Sequence, residues 1–210
     1  MPMHVCPRCG AWEVEKRIES AEEPWALAVC SACGSAQRFL RLPLFVITGA
    51  SGAGKTTVMH QLLHAMPKCV VIEGDILWGA LPANADDDYR GYLNAWLRLV
   101  KTIAQAGRPV LFCGTAVPEQ LESLPERRYI GTISYLALTC DPEVLRARLE
   151  ARPSWRQASD DAFVRRMLAF NTWLNINATT TDPPMVHHDT TWVSPEDTAQ
   201  FVRAWVQERL

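Results

Sequence analysis

The run Gly49-Ala50-Ser51-Gly52-Ala53-Gly54-Lys55-Thr56 fits the pattern G-x-x-x-x-G-K-[ST]. An apolar stretch, Leu44 to Ile47, precedes it, and a helical pattern over 54–65 follows, with Val58, Leu62 and Met66 on one stripe. Between a strand and a helix, the glycines let successive backbone N–H groups wrap phosphate oxygens, and the helix N-terminus adds its positive end. Lys55 is placed to neutralise β- and γ-phosphate oxygens, and the Thr56 hydroxyl suits Mg²⁺. Thr57 completes this candidate nucleotide-binding run and reads equally as an ordinary helix residue.

A phosphate cradle does not say where a phosphate goes. A guanine-reading N-K-x-D string is missing: the nearest text, Asn175-Ile176-Asn177-Ala178, has neither the Lys nor the Asp. The third strand ends Leu111-Phe112-Cys113-Gly114-Thr115, without the acidic residue of an ordinary Walker B. Carboxylates instead follow the second strand, as Glu73-Gly74-Asp75. In an open parallel sheet that strand end faces the phosphate loop across the ligand crevice. Asp75 is therefore expected to act as general base toward an attacking hydroxyl, with Glu73 supporting Mg²⁺. The competing reading makes Asp75 the cap of a short helix over 76–79. A base favours an alcohol acceptor, because a phosphate acceptor is already ionised.

Further along, Arg148, Arg152 and Arg156 recur at helical spacing until Pro153 interrupts. Planar guanidinium forks suit the spread charge of a transferring phosphoryl group, and a row of them beside a break suits a closing lid. Arg152 and Arg156 are the expected catalytic pair, Arg148 a nucleotide ligand and Arg146 a surface residue. Trp78 and Gly114-Thr115 are candidates for an acceptor pocket, Trp78 fitting the core equally well. His187 and His188 have no carboxylate partner at sensible spacing.

Four of the seven cysteines form two knuckles, Cys6-Pro7-Arg8-Cys9-Gly10 and Cys30-Ser31-Ala32-Cys33-Gly34, with 20 residues between Cys9 and Cys30. A two-residue gap lets both thiolates reach one ion, and the glycine permits the turn that aims amides at sulfur. Four thiolates close the shell, so the expected ion is a structural Zn²⁺ in a segment too short to build its own core. Two redox pairs are the other reading, disfavoured because neither pair ends a strand that leads into a helix. Cys69, Cys113 and Cys140 lie in apolar stretches and read as core.

The elements that must position these groups alternate from about Arg41 onward. Strands at 44–47, 69–72, 110–113, 133–139 and 185–188 are separated by helices near 54–65, 88–106, 141–151 and 159–174, with a last helix at 195–209. Asp141 and Ser194 read as helix caps, with Pro142 and Pro195 at the first helical positions. Two units follow, a zinc ribbon over 1–40 and an α/β nucleotide-binding domain over 41–210. Ordinary composition, with 48% hydrophobic and 21% charged residues, excludes a disordered chain. A formal charge of −2, and four basic against five acidic residues in 1–40, disfavour nucleic acid as partner. The start MPMHVCPRCG shows no export pattern and the apolar runs are too short for a bilayer, so a cytoplasmic protein is expected.

From Leu44 to the end the chain resembles the small P-loop kinases of the nucleoside and nucleotide kinase group. It is particularly similar to bacterial AAA family ATPase or nucleoside-kinase-like proteins, and more distantly to chloramphenicol phosphotransferase and shikimate kinase. GASGAGKTT, IEGD, VLFCGT and LALTCDPEVLRARLEARPSWR carry the likeness. The resemblance implies a P-loop fold with a five-stranded parallel sheet in the order 2-3-1-4-5, ATP with Mg²⁺, and transfer to a hydroxyl of a small molecule. Its lid arginines map onto Arg148, Arg152 and Arg156. The four-cysteine module departs from that pattern and leaves room for a protein partner or self-association through the ribbon. Two further readings stand beside the kinase: a nucleotide-controlled ATPase or interaction module, and a polynucleotide end kinase.

Overall fold

The computed structural model describes residues 3–152 and 161–210. At its N-terminal end, β1 (Arg17–Ser20), β2 (Trp25–Val29) and β3 (Ala36–Leu40) form an antiparallel sheet in the order β1-β2-β3. Two of these strands lie between the knuckles and the third follows the second knuckle. The module's core is small, made of Met3, Ala26, Ala28 and Phe39.

β4 (Leu44–Gly49) is buried at every position, as befits the middle strand of a parallel sheet covered on both faces. With β5 (Val70–Glu73), β6 (Val110–Cys113), β7 (Ile133–Thr139) and β8 (Met185–Asp189) it forms one all-parallel sheet in the order β5-β6-β4-β7-β8. Counted along the chain within this sheet, that order is 2-3-1-4-5. Successive residues of β4 point to opposite faces. Phe45 and Ile47 meet Val58 and Leu62 of α1 (Lys55–Leu62) and Val202 and Trp205 of α6 (Pro195–Gln207). Leu44 and Val46 meet Leu93, Trp96 and Leu97 of α2 (Arg90–Ala104).

The stretch between β6 and β7 carries no clear period, and it folds into α3 (Pro118–Glu122) and a 3-10 turn, Pro125–Tyr129. α4 (Pro142–Glu150) begins as the caps foretold: the Asp141 carboxylate accepts from the amides of Glu143 and Val144 at 2.8 and 3.2 Å. α5 (Asp161–Asn177) follows, and Ser194 caps α6 through the Asp197 amide. On α2 an apolar stripe through Tyr92, Trp96, Leu99 and Ile103 is expected from the sequence, and the packed face is rotated from it. Tyr92 and Trp96 are buried, but Leu99 is 37% exposed and the packed face runs through Leu93, Leu97 and Val100. Cys69, Cys113 and Cys140 are buried, as expected.

The two sheets are joined through buried chemistry. Tyr129, 1% exposed, sits in the core of the N-terminal module with its ring 5.8 Å from Phe39. Its hydroxyl donates to the Val14 carbonyl at 2.7 Å. Arg128 pairs with the Glu15 carboxylate. No helix among the described residues is long and apolar enough to cross a membrane.

Candidate functional site

The loop 49–54 leaves the C-terminal end of β4 and delivers Lys55 as the first residue of α1. Its shape requires glycine. A Cβ on Gly49 would lie 2.5 Å from the Leu138 carbonyl oxygen, and Gly52 combines φ +94° with a Cβ position 2.8 Å from Leu145. Ala53 is buried in the core beneath α1 and Ala50 against Leu145, Leu149 and Val164, while Ser51 is partly exposed and its amide points to the Met167 sulfur at 3.3 Å. Gly54 is left-handed at φ 101° and serves as the N-cap.

Lys55 folds over this loop, donating to the carbonyls of Gly49 and Ala50 at 2.6 and 3.1 Å. Burial lowers its pKa to about 8; Asp75 and Glu73 pull it up and Arg152 pushes it down. Thr56 donates to Glu73 Oε1 at 3.1 Å, so the hydroxyl and carboxylate expected at Mg²⁺ are already side by side. These are hard oxygen donors, the kind Mg²⁺ takes. Thr57 is exposed on α1.

Asp75 is exposed within a 3-10 turn, Gly74–Leu77, that starts two residues before the short helix read from sequence. The turn is pressed against the end of β6: a Cβ on Gly74 would lie 3.0 Å from both Gly114 Cα and Phe112 Cζ. Thr115, next along, is exposed. Trp78 is 59% exposed, which takes it out of the core, and its ring lies 5.7 Å from Tyr92 and 6.0 Å from Tyr89.

The arginine row divides. Arg148 donates to Thr190 at 3.3 and 3.1 Å, and the Thr190 hydroxyl in turn donates to carbonyls of Ala53 and Thr139 at 3.2 and 2.9 Å. Arg148 therefore braces the segment after β8 against the phosphate loop, whereas Arg152 acts on Lys55. Arg156 lies outside the described residues. Sequence reading missed Thr190 and Tyr92. A lone threonine gives no motif, and Tyr92 sits on an apolar stripe that reads as packing.

In the N-terminal module, Cys6 and Cys33 Sγ are 3.7 Å apart and Cys9 and Cys30 Sγ 3.8 Å. All four sulfurs lie within 4.8 Å of one another. Four thiolates about 2.3 Å from a tetrahedral Zn²⁺ would be separated by about 3.8 Å, so the donor set and spacing fit that ion. Gly10 and Gly34 return amides to the Cys6 and Cys30 carbonyls, both at 2.9 Å, with φ 74° and 70°. The amides of Cys9 and Arg8 hold the Cys6 thiol down at about 6. Cys9 receives the Ala11 amide, yet the neighbouring thiols of Cys33 and Cys6 push it up to about 11.

A glycine-rich loop between the central strand of a 2-3-1-4-5 parallel sheet and the helix after it, carrying Lys and Thr, defines a P-loop domain on the fold of the small kinases. The model of a protein family described as an AAA domain matches residues 44–175, and the chain belongs to that family. Solved structures share the fold. A sugar kinase from Janibacter sp. HTCC2649 is 19% identical with a TM-score of 0.60, over 79% of this chain and 95% of its own. A gluconokinase from Sinorhizobium meliloti 1021 is 18% identical, TM-score 0.51, covering 75% and 87%. Shikimate kinase from Acinetobacter baumannii, solved with shikimate, is 17% identical, TM-score 0.51, covering 80% and 94%. Comparison with curated protein sequences finds no match.

Proposed function

We propose that the chain transfers the γ-phosphate of ATP to a hydroxyl group of a small molecule. The observation that carries this reading is the Thr56–Glu73 hydrogen bond, which links the start of α1 to the end of β5 beside a Lys55 folded over the phosphate loop, with Asp75, Glu73 and Arg152 all acting electrostatically on that ammonium. The sugar, gluconate and shikimate kinases on the same fold support it by analogy of fold.

On this reading residues 49–57 cradle the triphosphate, with Lys55 on its β- and γ-oxygens. Thr56 and Glu73 would hold Mg²⁺, which supplies charge neutralisation on the phosphate oxygens when bound. Asp75 accepts the proton of the acceptor hydroxyl as its oxygen bonds to the γ-phosphorus and the bond to the β,γ-bridging oxygen breaks, releasing ADP. Lys55 and Arg152 face the charge that spreads over the phosphoryl group, and Arg156 is proposed to join them. Arg148 keeps the nucleotide side in place through Thr190. Trp78 and Thr115 border the acceptor side, where an exposed ring suits a planar or sugar-like molecule. The four cysteines, in a ribbon over 1–40 beside a kinase domain over 41–210, would hold one structural Zn²⁺.

The test is ATP consumption against a panel of nucleosides, sugars, sugar acids, phenolic alcohols and amino alcohols, followed by two variants. Lys55→Ala is expected to abolish ATP binding. Asp75→Asn is expected to cut transfer at least about a hundredfold while ATP affinity changes less than about twofold. Equal loss of ATP binding in both variants, or full transfer by Asp75→Asn, would remove the base from the mechanism.

A further inference from the structure

α2 is held by different parts of the molecule at its two ends. Toward its C-terminal end, Lys101 and Arg98 donate to Glu126 of the 3-10 turn at 2.5 and 3.0 Å, and the Glu126 side chain is completely buried. The N-terminal module closes this cluster. His4, two residues before the first knuckle cysteine, places Nε2 2.6 Å from Lys101 Nζ and 2.9 Å from Glu126 Oε1. Just past the helix, the Gln105 amide bonds both ways with the backbone of Leu40 in β3, each at 2.9 Å.

At the other end the helix meets the acidic turn. The buried Tyr92 hydroxyl donates to the Gly74 carbonyl at 2.6 Å, and Trp78, just after that turn, rests edge-on against the Tyr92 ring. Gly74 also lies close against Gly114 and Phe112 at the end of β6. The turn that carries Asp75 is therefore held between the end of β6 and one hydroxyl of α2. α1, the helix that follows the phosphate loop, packs with α6 on the other face of the sheet.

We propose that Tyr92 is a positioning residue for the Gly74–Leu77 turn, and that the cysteine module sets its position by gripping the far end of α2 through His4 and Leu40. The inference rests on reading that turn as the acceptor side of a kinase site. A helix packed along its length moves as a unit, so loosening one end displaces the other. Metal occupancy of the module then reaches the turn through α2, whereas α1 packs on the other face of the sheet and, among the described residues, has no contact with the module's grip.

Hydrogen exchange on the full chain tests this without any acceptor, so a chain devoid of transferase activity still gives a decisive answer. Cys9→Ser combined with Cys33→Ser, verified metal-free by elemental analysis, is expected to speed exchange in 90–104 and 70–78 at least about tenfold over the metal-loaded wild type. Exchange in 55–62 and the Kd for ATP are expected to change less than about twofold. Tyr92→Phe, with metal content intact, is expected to speed exchange in 70–78 and leave 17–40 as in wild type. With an acceptor taken from the panel, the same variant lowers kcat at an unchanged KM for ATP. Unaltered protection of 90–104 in the metal-free chain, equal loosening of every segment, or a silent Tyr92→Phe overturns the proposal.

Discussion

Lys55 shows how one side chain can make nucleotide binding depend on pH. Burial holds its ammonium at about 8, and only the protonated form attracts phosphate. Raising the pH through 8 removes that charge from the free protein, so affinity falls as pH rises: at pH 9 the apparent Kd for ATP is expected to be about tenfold weaker than at pH 7. Calorimetric titration at the two values checks it, and Lys55→Arg, which keeps its charge throughout, is expected to flatten the profile. Glu126 makes the second prediction at this scale. It is buried with three cationic or imidazole neighbours, so Glu126→Ala leaves those groups uncompensated and is expected to cost about 3–5 kcal/mol in urea unfolding. Glu19→Ala, which breaks the exposed pair with Arg17, is expected to cost less than about 1 kcal/mol.

Among elements, those written in local signals were legible in the sequence. The phosphate loop, the all-buried β4 and the Asp141 and Ser194 caps follow from motif, period and capping chemistry within short windows, whereas the strand order came only with the family resemblance. The acidic turn after β5 was legible too, because a strand end and two carboxylates share four residues. The path from β6 to β7 was not: α3 and the 3-10 turn have no period of their own and owe their shape to Arg127 bonding the Ile130 and Gly131 carbonyls at 2.9 Å and to the module packed above. Likewise His4, Lys101 and Glu126 meet across stretches that no sequence window spans. The close seat of Gly114 leads to a further prediction. A Cβ there would lie 2.6 Å from the Phe112 ring and 3.4 Å from Gly74 Cα, so Gly114→Ala is expected to destabilise the chain by about 1–3 kcal/mol and to weaken acceptor turnover more than ATP binding. Thermal unfolding and steady-state kinetics separate the two effects.

For the whole molecule, the four sulfurs lead to a metal prediction. Elemental analysis is expected to find about one zinc per chain, lost in Cys6→Ser. Each cysteine must lose its proton before it binds metal, so affinity is expected to fall steadily as the pH is lowered from neutrality. Competition with a chromophoric chelator across that range measures it. Tyr129 carries a different consequence. It is drawn from the larger sheet's connections yet fills the interior of the smaller one, bonded to Val14 and packed on Phe39. Scissors placed after residue 40 would leave a hollow in one fragment and a bare aromatic ring on the other. The cysteine segment is thus no detachable cassette: a chimera that grafts it onto a related kinase would have to import the tyrosine and its neighbouring carboxylate as well.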